Sequence, residues 1–408
     1  MNILLINHYA GNPHYGMEYR PYYLAREWVR QGHNVTIVGA DFSHLRRTNP
    51  VVDRALAREE VDGIEYRWLR SPKYDGNGSG RVLNMFSFVA QMLFYGRRIG
   101  KLVKPDLVIA SSTYPLDIFP AKRIAAQCGA KLCFEVHDLW PLSPIELGGM
   151  SPRHPFIMLL QYAENWAYRT ADKVVSMLPK ALEHMMAHGM AREKFAYVPN
   201  GIDVDEWRAP EQAPNLPVLE QIDALKRGGA RVVGYAGSHG PANAMDNVLL
   251  AARLLADRPV VFVLVGDGSE KRKLLAMKTE FKLDNVHFFD PVPKQSIPAL
   301  LEKMDVVFIG SQRVPIYRFG VSPNKMMDYM MAAKPIIQAI ESGNDPVGEA
   351  GCGLTISPGD PAALVHAIES LLALSDEERA DMGQKGRRFV LENHTYPVLA
   401  QRFIDACR

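Results

Sequence analysis

The 408-residue chain carries almost no net charge, with 47 basic residues against 45 acidic ones. It therefore lacks the global electrostatic footprint of a nucleic-acid binder. Cysteine is scarce: Cys128, Cys133, Cys352 and Cys407 have no metal-ligand spacing beyond one loose pair, so they read as isolated thiols in a reducing compartment. Long hydrophobic runs are missing too. The apolar stretch Val82 to Gly96 is shorter than the roughly 18 to 20 residues a spanning helix needs. Ile3 to Ile6 is too short for a signal-peptide core, and no basic segment precedes it. These absences lead us to expect a soluble, cytoplasmic chain, at most peripheral at the inner face of a membrane. The G-x-G-x-x-G fingerprint is also absent, which counts against an NAD-linked enzyme even though Asp41 follows the second strand. No sequence repeat and no low-complexity tract occurs.

What is present is a rhythm. Short Val- and Ile-rich runs, each followed by a helical pattern, fall at Ile3–Ile6, Val35–Val38, Leu107–Ala110, Leu132–Val136 and Val174–Met177. They resume at Val232–Tyr235, Val260–Val265, Val306–Ile309 and Pro335–Ala339. Such strands separated by helices indicate α/β architecture, with parallel sheets covered on both faces. Glu206 to Gly229, with Pro210, Pro214 and Pro217, interrupts the rhythm and reads as a crossover between domains. The expectation is two doubly wound, Rossmann-like domains, residues 1–205 and 206–383, facing across a cleft. Such sheets bind ligands beyond the carboxyl ends of their strands, so each domain would hold one substrate.

Several strand-end segments carry chemistry. The loop Asn7 to Tyr19 has Gly11 and Gly16 and leads into a helix that starts near Pro21, with Leu24, Trp28 and Val29 as its apolar stripe. Glycines allow close backbone approach and a helix start offers free N–H groups, although an ordinary turn explains them equally well. In FEVHDLWPLSP, His137 and Asp138 sit where a strand ends, and Trp140 could offer a sugar ring an apolar platform. A structural His-Asp cap is the plainer alternative. Glu135 is expected on the opposite face. In the second half, Gly237, Ser238, His239 and Gly240 of GYAGSHGPAN form a small-residue loop suited to a diphosphate. VLVGDG and FFDPVP are strand-end turns with weaker signals. In YRFGVSPNKMMDYMMAAKP, Ser322 is the expected N-cap and Pro323 the first helical residue. Lys325 and Asp328 then share one helix face, where a lysine can neutralise phosphate and a carboxylate can accept ribose hydroxyls. A surface ion pair would use the same two residues.

Taken in order, these segments resemble the retaining nucleotide-sugar glycosyltransferases of family 4, with the GT-B fold. The resemblance spans NHYAGNPHYGMEYRPYYLAREW, GHNVTIV, EVHDLWP, ADKVVSM, VPNGID, GYAGSHGPAN, VFVLVGDG and SPNKMMDYMMAAKP. It points to the branch that builds O-antigens, capsules and exopolysaccharides, including fucosamine transferases. The resemblance implies donor binding on the second domain and acceptor binding on the first. Gly16 would contact donor phosphate, His137 the transferred sugar, and Phe319, Gly320, Val321 and Ser322 the sugar hydroxyls. Lys325, with Gly237, Ser238, His239 and Asn243, would hold the diphosphate, Asp328 the ribose, and Val292 the base through its backbone. Glu18, Asp138 and Trp140 fall on the acceptor side. The final helix, around Gln384 to Arg408, would cross back to the first domain. Two departures stand out. The first of the family's two Glu residues falls near Gly320. Ser238, His239 and Asn243 replace its Arg and Lys, leaving Lys325 to supply charge with Arg20 or Arg318 as helpers.

The resemblance further implies retention of configuration, with a front-face displacement in which leaving phosphate takes the acceptor's proton. The donor is expected to be UDP-linked, with no metal and no cofactor, because Asp203 and Asp205 form a D-x-D only within the NGID turn. Leu83 to Lys104 is apolar and then basic (Arg97, Arg98, Lys101, Lys104), and Phe156 to Tyr168 is a second candidate. Both suit a helix resting on an anionic membrane, and both suit core helices with solvated ends. The partner expected is a saccharide or lipid-linked saccharide acceptor. A nucleotide-sugar 2-epimerase of the same fold and a non-catalytic nucleotide-sugar binder are the alternatives.

Overall fold

A computed structural model describes residues 1–16, 19–76, 78–208 and 216–408. The chain divides into two compact units, Met1–Asn200 with Tyr396–Arg408, and Gly201–Thr395. In the first unit the strands are β1 (Asn2–Ile6), β2 (Asn34–Ala40), β3 (Ala57–Val61), β4 (Ile64–Leu69), β5 (Leu107–Ala110), β6 (Lys131–Val136), β7 (Lys173–Ser176) and β8 (Phe195–Tyr197). Its helices are α1 (Tyr19–Arg30), α2 (Ser79–Val103), α3 (Ile118–Cys128), α4 (Leu142–Glu146), α5 (Pro155–Thr170) and α6 (Leu182–Ala187). The eight strands form one sheet in the order β3-β4-β2-β1-β5-β6-β7-β8. Every pairing is parallel except β3 with β4.

The β3–β4 hairpin and β8 are additions to the expected strands. β3 and β4 interleave charge with apolar residues, and Glu65 pairs with Arg58 across the hairpin and with Arg67 on its own strand. Charge at a sheet edge is how such an edge is protected, and it hides the strand from a search for apolar runs.

The second unit contains α7 (Pro217–Arg227), β9 (Arg231–Ala236), α8 (Asp246–Leu254), β10 (Val260–Val265), α9 (Lys271–Phe281), β11 (Val286–Phe289), α10 (Ile297–Glu302) and β12 (Val306–Gly310). It continues with α11 (Asn324–Met331), β13 (Ile336–Ala339), α12 (Pro346–Ala350), β14 (Gly353–Thr355), α13 (Pro361–Ala373) and α14 (Asp376–Asn393). Six parallel strands run in the order β11-β10-β9-β12-β13-β14. Both sheets are covered on each face, which is why their central strands are apolar on both sides.

The expected crossover is in large part a helix. α7 buries Val218 and Ile222 in the second unit's core, and only part of the segment lies outside the described residues. The return at the C-terminus is also shorter than expected. α14 stays on the second unit because Gly383 and Gly386 let it press close: a Cβ at Gly383 would lie 1.9 Å from the Ala333 carbonyl oxygen. Only the last helix, α15 (Tyr396–Cys407), joins the first unit. There Phe403 and Leu399 enter the core, Tyr396 stacks on Tyr23 at 4.6 Å, and Trp28 Nε1 donates to the Ala400 carbonyl at 3.1 Å.

Candidate active site

In the first unit the chemistry gathers where β5 and β6 end. The parallel register pairs Ala110 with Phe134, so Ser111 lies level with Glu135. Glu135 is fully buried and does not point away from His137, as the sequence reading had it. Residues two apart on an extended chain share a face, and His137 Nε2 lies 3.3 Å from Glu135 Oε2. The Ser111 hydroxyl donates to the same carboxylate oxygen at 2.6 Å and lies 3.0 Å from His137 Nε2. On the other side Arg20, buried on α1, donates through Nε to Glu135 Oε1 at 2.9 Å. Its remaining nitrogens donate to the Val198 and Pro199 carbonyls. Burial alone would raise the Glu135 carboxyl, but Arg20, His137 and Ser111 together bring it down to about 2. An ionised Glu135 is an obligate acceptor, so the ring nitrogen facing it carries the proton.

This network corrects one expectation. Arg20 is not available to a diphosphate, because Glu135 and two carbonyls occupy it. Gly16 closes a turn from Asn12 with φ +76° and donates to the Asn12 carbonyl at 2.9 Å, a conformation glycine adopts without strain. Asp138 is exposed on the loop after β6, and Trp140 lies half-buried with the Arg81 guanidinium 5.9 Å from its ring. Glu18 lies outside the described residues.

In the second unit the convergence is at the carboxyl ends of β9 and β10. Lys325, on the first turn of α11, reaches back to β9. Its Nζ donates to the Tyr235 hydroxyl at 2.8 Å and to Asn243 Oδ1 at 2.7 Å. It also lies 4.6 Å from the centroid of the Tyr235 ring. Desolvation pulls this lysine down from 10.5 to about 8. A Cβ at Gly237 would come within 3.2 Å of Lys325 Nζ, and one at Gly266 within 1.8 Å of the Gly237 carbonyl oxygen. Glycine at both strand ends is what lets ammonium and backbone crowd together.

One turn along α11, burial pushes the Asp328 carboxyl up to about 7, against Lys294 and a hydrogen bond with Trp207, while Glu206 raises it further. Lys294 and Glu206 are themselves paired at 2.7 Å. Lys325 thus turns to Tyr235 and Asn243 and not to Asp328, so the two do not form the surface ion pair their spacing allows. Asp203, the first acid of the D-x-D, accepts from the Asp205 amide and caps a short turn.

The loop amides behave differently from the sequence reading. The Gly237 N–H donates to the Val265 carbonyl and the His239 N–H to that of Asp267, so neither is offered to a ligand. The His239 ring is fully buried, with Phe288 edge-on at 5.7 Å, and neither ring nitrogen has a hydrogen-bond partner. Ser238 contributes its carbonyl, which accepts from Tyr235 and from Asn243. Before α11, the Gly320 amide donates to Tyr317 and that of Val321 to Asn344 Oδ1, and Asn344 donates back to the Val321 carbonyl. Phe319 to Ser322 is therefore a pinned shelf. The Arg318 guanidinium lies 4.3 Å from the Phe319 ring centroid. Ser322 does not cap α11: the cap position is Pro323, and no side chain fills it. Val292 packs partly buried against the core beyond β11.

Sequence reasoning missed Ser111, Tyr235 and the role of Arg20. Tyr235 could have been found, since it lies two residues before Gly237 on the same face of β9. Another polar group went unnoticed because its members come from different helices. Glu164 on α5, His184 on α6 and His188 just after it bring ligand-type atoms within 4.8 Å of one another. Glu164 also accepts from Tyr168 at 2.9 Å and from Gln161 at 2.7 Å, and His188 Nδ1 lies 2.9 Å from Asn165 Oδ1. This network ties α5 to α6.

Residues 15–201 match the model of the glycosyl transferase 4-like domain, and residues 220–389 that of glycosyl transferases group 1. Among curated proteins, the chain is 24% identical to the "Probable glycosyltransferase WbjE" of Pseudomonas aeruginosa, over 88% of this chain and 86% of that one. It is 23% identical to a chain of Escherichia coli (strain K12) named for colanic acid biosynthesis, the glycosyl transferase WcaI, over 85% and 86%. Among solved structures, Anabaena HepE in complex with UDP superposes with a TM-score of 0.68 at 16% identity, covering 99% of both chains. The two sheets, the two matched domains and the named relatives agree: the chain is a glycosyltransferase of the GT-B fold, with a glycosyl transferase 4-like domain in its first half and a group 1 domain in its second.

Proposed function

We propose that this enzyme moves a sugar from a UDP-sugar to a saccharide or lipid-linked saccharide acceptor during assembly of a cell-surface polysaccharide, with retention of configuration and without a metal. The observation that carries the donor half is the Lys325–Tyr235–Asn243 cluster beside Gly237 and Gly266, with Asp328 one turn away. An ammonium held at the end of a glycine-lined strand suits a diphosphate, and a carboxylate at that distance suits the ribose diol. HepE, a structural neighbour, is described in complex with UDP, and WcaI is named for colanic acid biosynthesis. These support the nucleotide and the pathway class respectively.

In this reading the second unit binds the donor. Lys325 and Asn243 take the diphosphate, Asp328 the ribose, the Val292 backbone the base, and the Phe319–Ser322 shelf the sugar hydroxyls. The first unit binds the acceptor near Asp138 and Trp140, with Glu18 also assigned there, while Gly16 meets phosphate. His137, its proton position set by Glu135, is assigned to the transferred sugar. The glycosidic C1–O bond to the diphosphate breaks as the acceptor oxygen bonds to C1 on the same face. The acceptor's proton passes to the departing phosphate oxygen. Lys325 stabilises the charge that develops there, an electrostatic contribution made where the site is already organised.

The test is a screen of UDP-sugars by thermal shift on the intact chain, Lys325→Ala and Asp328→Ala. A donor at a hundred times its Kd stabilises by about 2.7 kcal/mol. The expected result is a shift with one donor, lost in both variants, followed by transfer with the α or β configuration preserved in NMR of the product. A shift that survives both substitutions overturns the donor-site assignment. Release of a 2-epimeric sugar in the absence of acceptor would replace transfer by epimerisation. Loss of transfer with a chelator, restored by manganese, would overturn metal independence.

A further inference from the structure

We propose that Glu164, His184 and His188 bind a zinc ion that clamps α6 to α5 in the first unit. Two imidazoles and a carboxylate are a donor set for zinc and its first-row neighbours, and not for magnesium or calcium, which take oxygen ligands. Among the described residues no other trio of His, Cys, Asp or Glu side chains gathers so closely. None of the three belongs to the transfer site described above.

The spacing is that of ligands to one ion. His184 and His188 are four apart, and the helical turn between them is closed, the His188 N–H donating to the His184 carbonyl at 3.2 Å. Residues at that spacing share a helix face, and the two ring centroids lie 4.5 Å apart. His184 Nε2 stands 3.7 Å from Glu164 Oε1. One ligand-type atom from each of the three residues lies within 4.8 Å of the others. Zinc bonds of about 2.0–2.2 Å in a tetrahedron set ligand atoms roughly 3.3–3.6 Å apart, so each atom has to move by about 1 Å or less.

The hydrogen bonds select the lone pair that His188 can offer. The Gln161 amide nitrogen has two hydrogens. Glu164 Oε2 and Asn165 Oδ1, both 2.7 Å from that nitrogen, take them. His188 Nδ1, 3.0 Å from the same nitrogen, is left to donate to Asn165 Oδ1 at 2.9 Å. The ring's lone pair is therefore on Nε2. An imidazole that donates through one nitrogen to a fixed oxygen and offers the other is the arrangement of a metal-bound histidine.

Charge and packing both favour a cation here. Glu164 is 1% exposed, and its hydrogen-bond donors, Tyr168 at 2.9 Å and Gln161, are neutral. Its ion-pair partner among the described residues is His184, which is charged only when protonated. A buried carboxylate without a permanent positive charge is costly, and a divalent ion supplies that charge. α6 gains as well. It has six residues and fully buries only Met185, too little for a helix of that length to hold itself. α6 follows β7, the neighbour of β6 in the sheet, so the clamp seats the turn between β7 and α6 beside the edge that carries His137.

Zinc titration of the full chain, stripped with a chelator and dialysed, tests this without donor or acceptor. One equivalent is expected to bind, and zinc at a hundred times its Kd should raise the melting temperature by about 5–10 °C. Cobalt(II) in its place should give the intense visible bands of a four-coordinate ion and lose them to zinc. His184→Ala/His188→Ala should abolish binding, bands and shift. His188→Gln alone, milder for the fold, should weaken zinc on the order of a hundredfold or more, and Asn165→Ala about tenfold. Each shift is read against the same variant without metal, so a change in basal stability does not enter. His33→Gln, which removes the imidazole 3.2 Å from the N-terminal amine, should leave binding unchanged. No stoichiometric binding by the parent, or undiminished zinc affinity in His188→Gln or the double variant, overturns the proposal. So does loss of binding in His33→Gln, which would place the ion at the N-terminus. A chelated parent should regain stability with zinc in preference to manganese, the weaker ion at nitrogen ligands. Transfer kept by the parent and lost by the double variant below its melting temperature would assign the ion to the reaction and overturn the clamp.

Discussion

Lys325 carries two opposed duties, and replacing it should separate them. The ammonium ordinarily titrates at 10.5 and here at about 8, because it is desolvated against Tyr235 and Asn243. That depression is a penalty on the charged form of about 3 kcal/mol. At pH 7 both folded and unfolded chains hold the proton, so the whole penalty is present. Lys325→Met keeps much of the stem's volume and removes it. The loss of two hydrogen bonds returns about 1 kcal/mol each. The net expectation is a more stable second unit by roughly 1 kcal/mol, a rise in melting temperature of about 2–4 °C for a domain of that size.

The same change removes a charge-assisted bond to the diphosphate. UDP should bind more weakly by about 1.5–3 kcal/mol, or roughly ten- to a hundredfold. The sign of the pH dependence adds a check. Between pH 8 and 10.5 the unfolded chain holds a proton that the folded chain has released, so parent stability rises with pH there. The Met variant should lack that rise, so the parent's melting curve should climb to meet the variant's and cross above it as pH approaches 10.5. Melting scans across this range and UDP calorimetry at pH 7 measure both quantities. A Met variant that melts below the parent at pH 7, or that binds UDP equally well there, refutes the reasoning.

Three further outcomes are expected. Glu135→Gln leaves the buried Arg20 without its carboxylate and should cost about 3–5 kcal/mol; Arg20→Met/Glu135→Leu should recover part of that stability in denaturation while transfer stays lost. Because Glu135 is held near 2 against an ordinary 4.5, its stabilisation is complete above about pH 4.5 and disappears as pH falls towards 2, which an acid titration of Glu135→Gln beside the parent should show. Asp328 is the opposite case: raised to about 7, it lowers stability as pH climbs from about 4 through 7, and Asp328→Asn should flatten that decline in melting scans and weaken UDP. Gly266→Ala drives a Cβ to 1.8 Å from the Gly237 carbonyl; the backbone must shift, with about 1–3 kcal/mol lost from stability and a donor thermal shift reduced at the same time. A Gly266→Ala chain with parental melting and donor shift would mean that the two strand ends need no such closeness.

The two doubly wound sheets were legible in the residues, because a strand buried on both faces must be an unbroken apolar run such as Val260–Val265 or Leu107–Ala110. β3 and β4 were not, since this hairpin at one edge of the sheet interleaves charge with its apolar residues and so resembles a loop. The α7 helix was hidden by the prolines around it, although Pro217 is a first-turn residue that begins a helix. Lys325 and Asp328 stood out by local spacing on one helix. Their environments did not: that Lys325 would reach Tyr235 and Asn243, some ninety and eighty residues away, depends on β9 and β12 being neighbours in the sheet.

The same distinction holds for Glu135. Its face could have been deduced from strand periodicity, but its partners Arg20 and Ser111 are supplied by α1 and β5, and no local pattern announces them. His239 makes the reverse point, since a residue type suited to a ligand is enclosed by Phe288 and the strand-end glycines. By itself the sequence determined the strand-helix alternation, the strand-end positions of its glycines and the shared face of Lys325 and Asp328, all consequences of short-range backbone geometry. Only the tertiary structure decided which polar groups meet, which amides remain free and how far each ionisable group is shifted. Those depend on distances between segments far apart in the chain, and on the water that packing removes from between them.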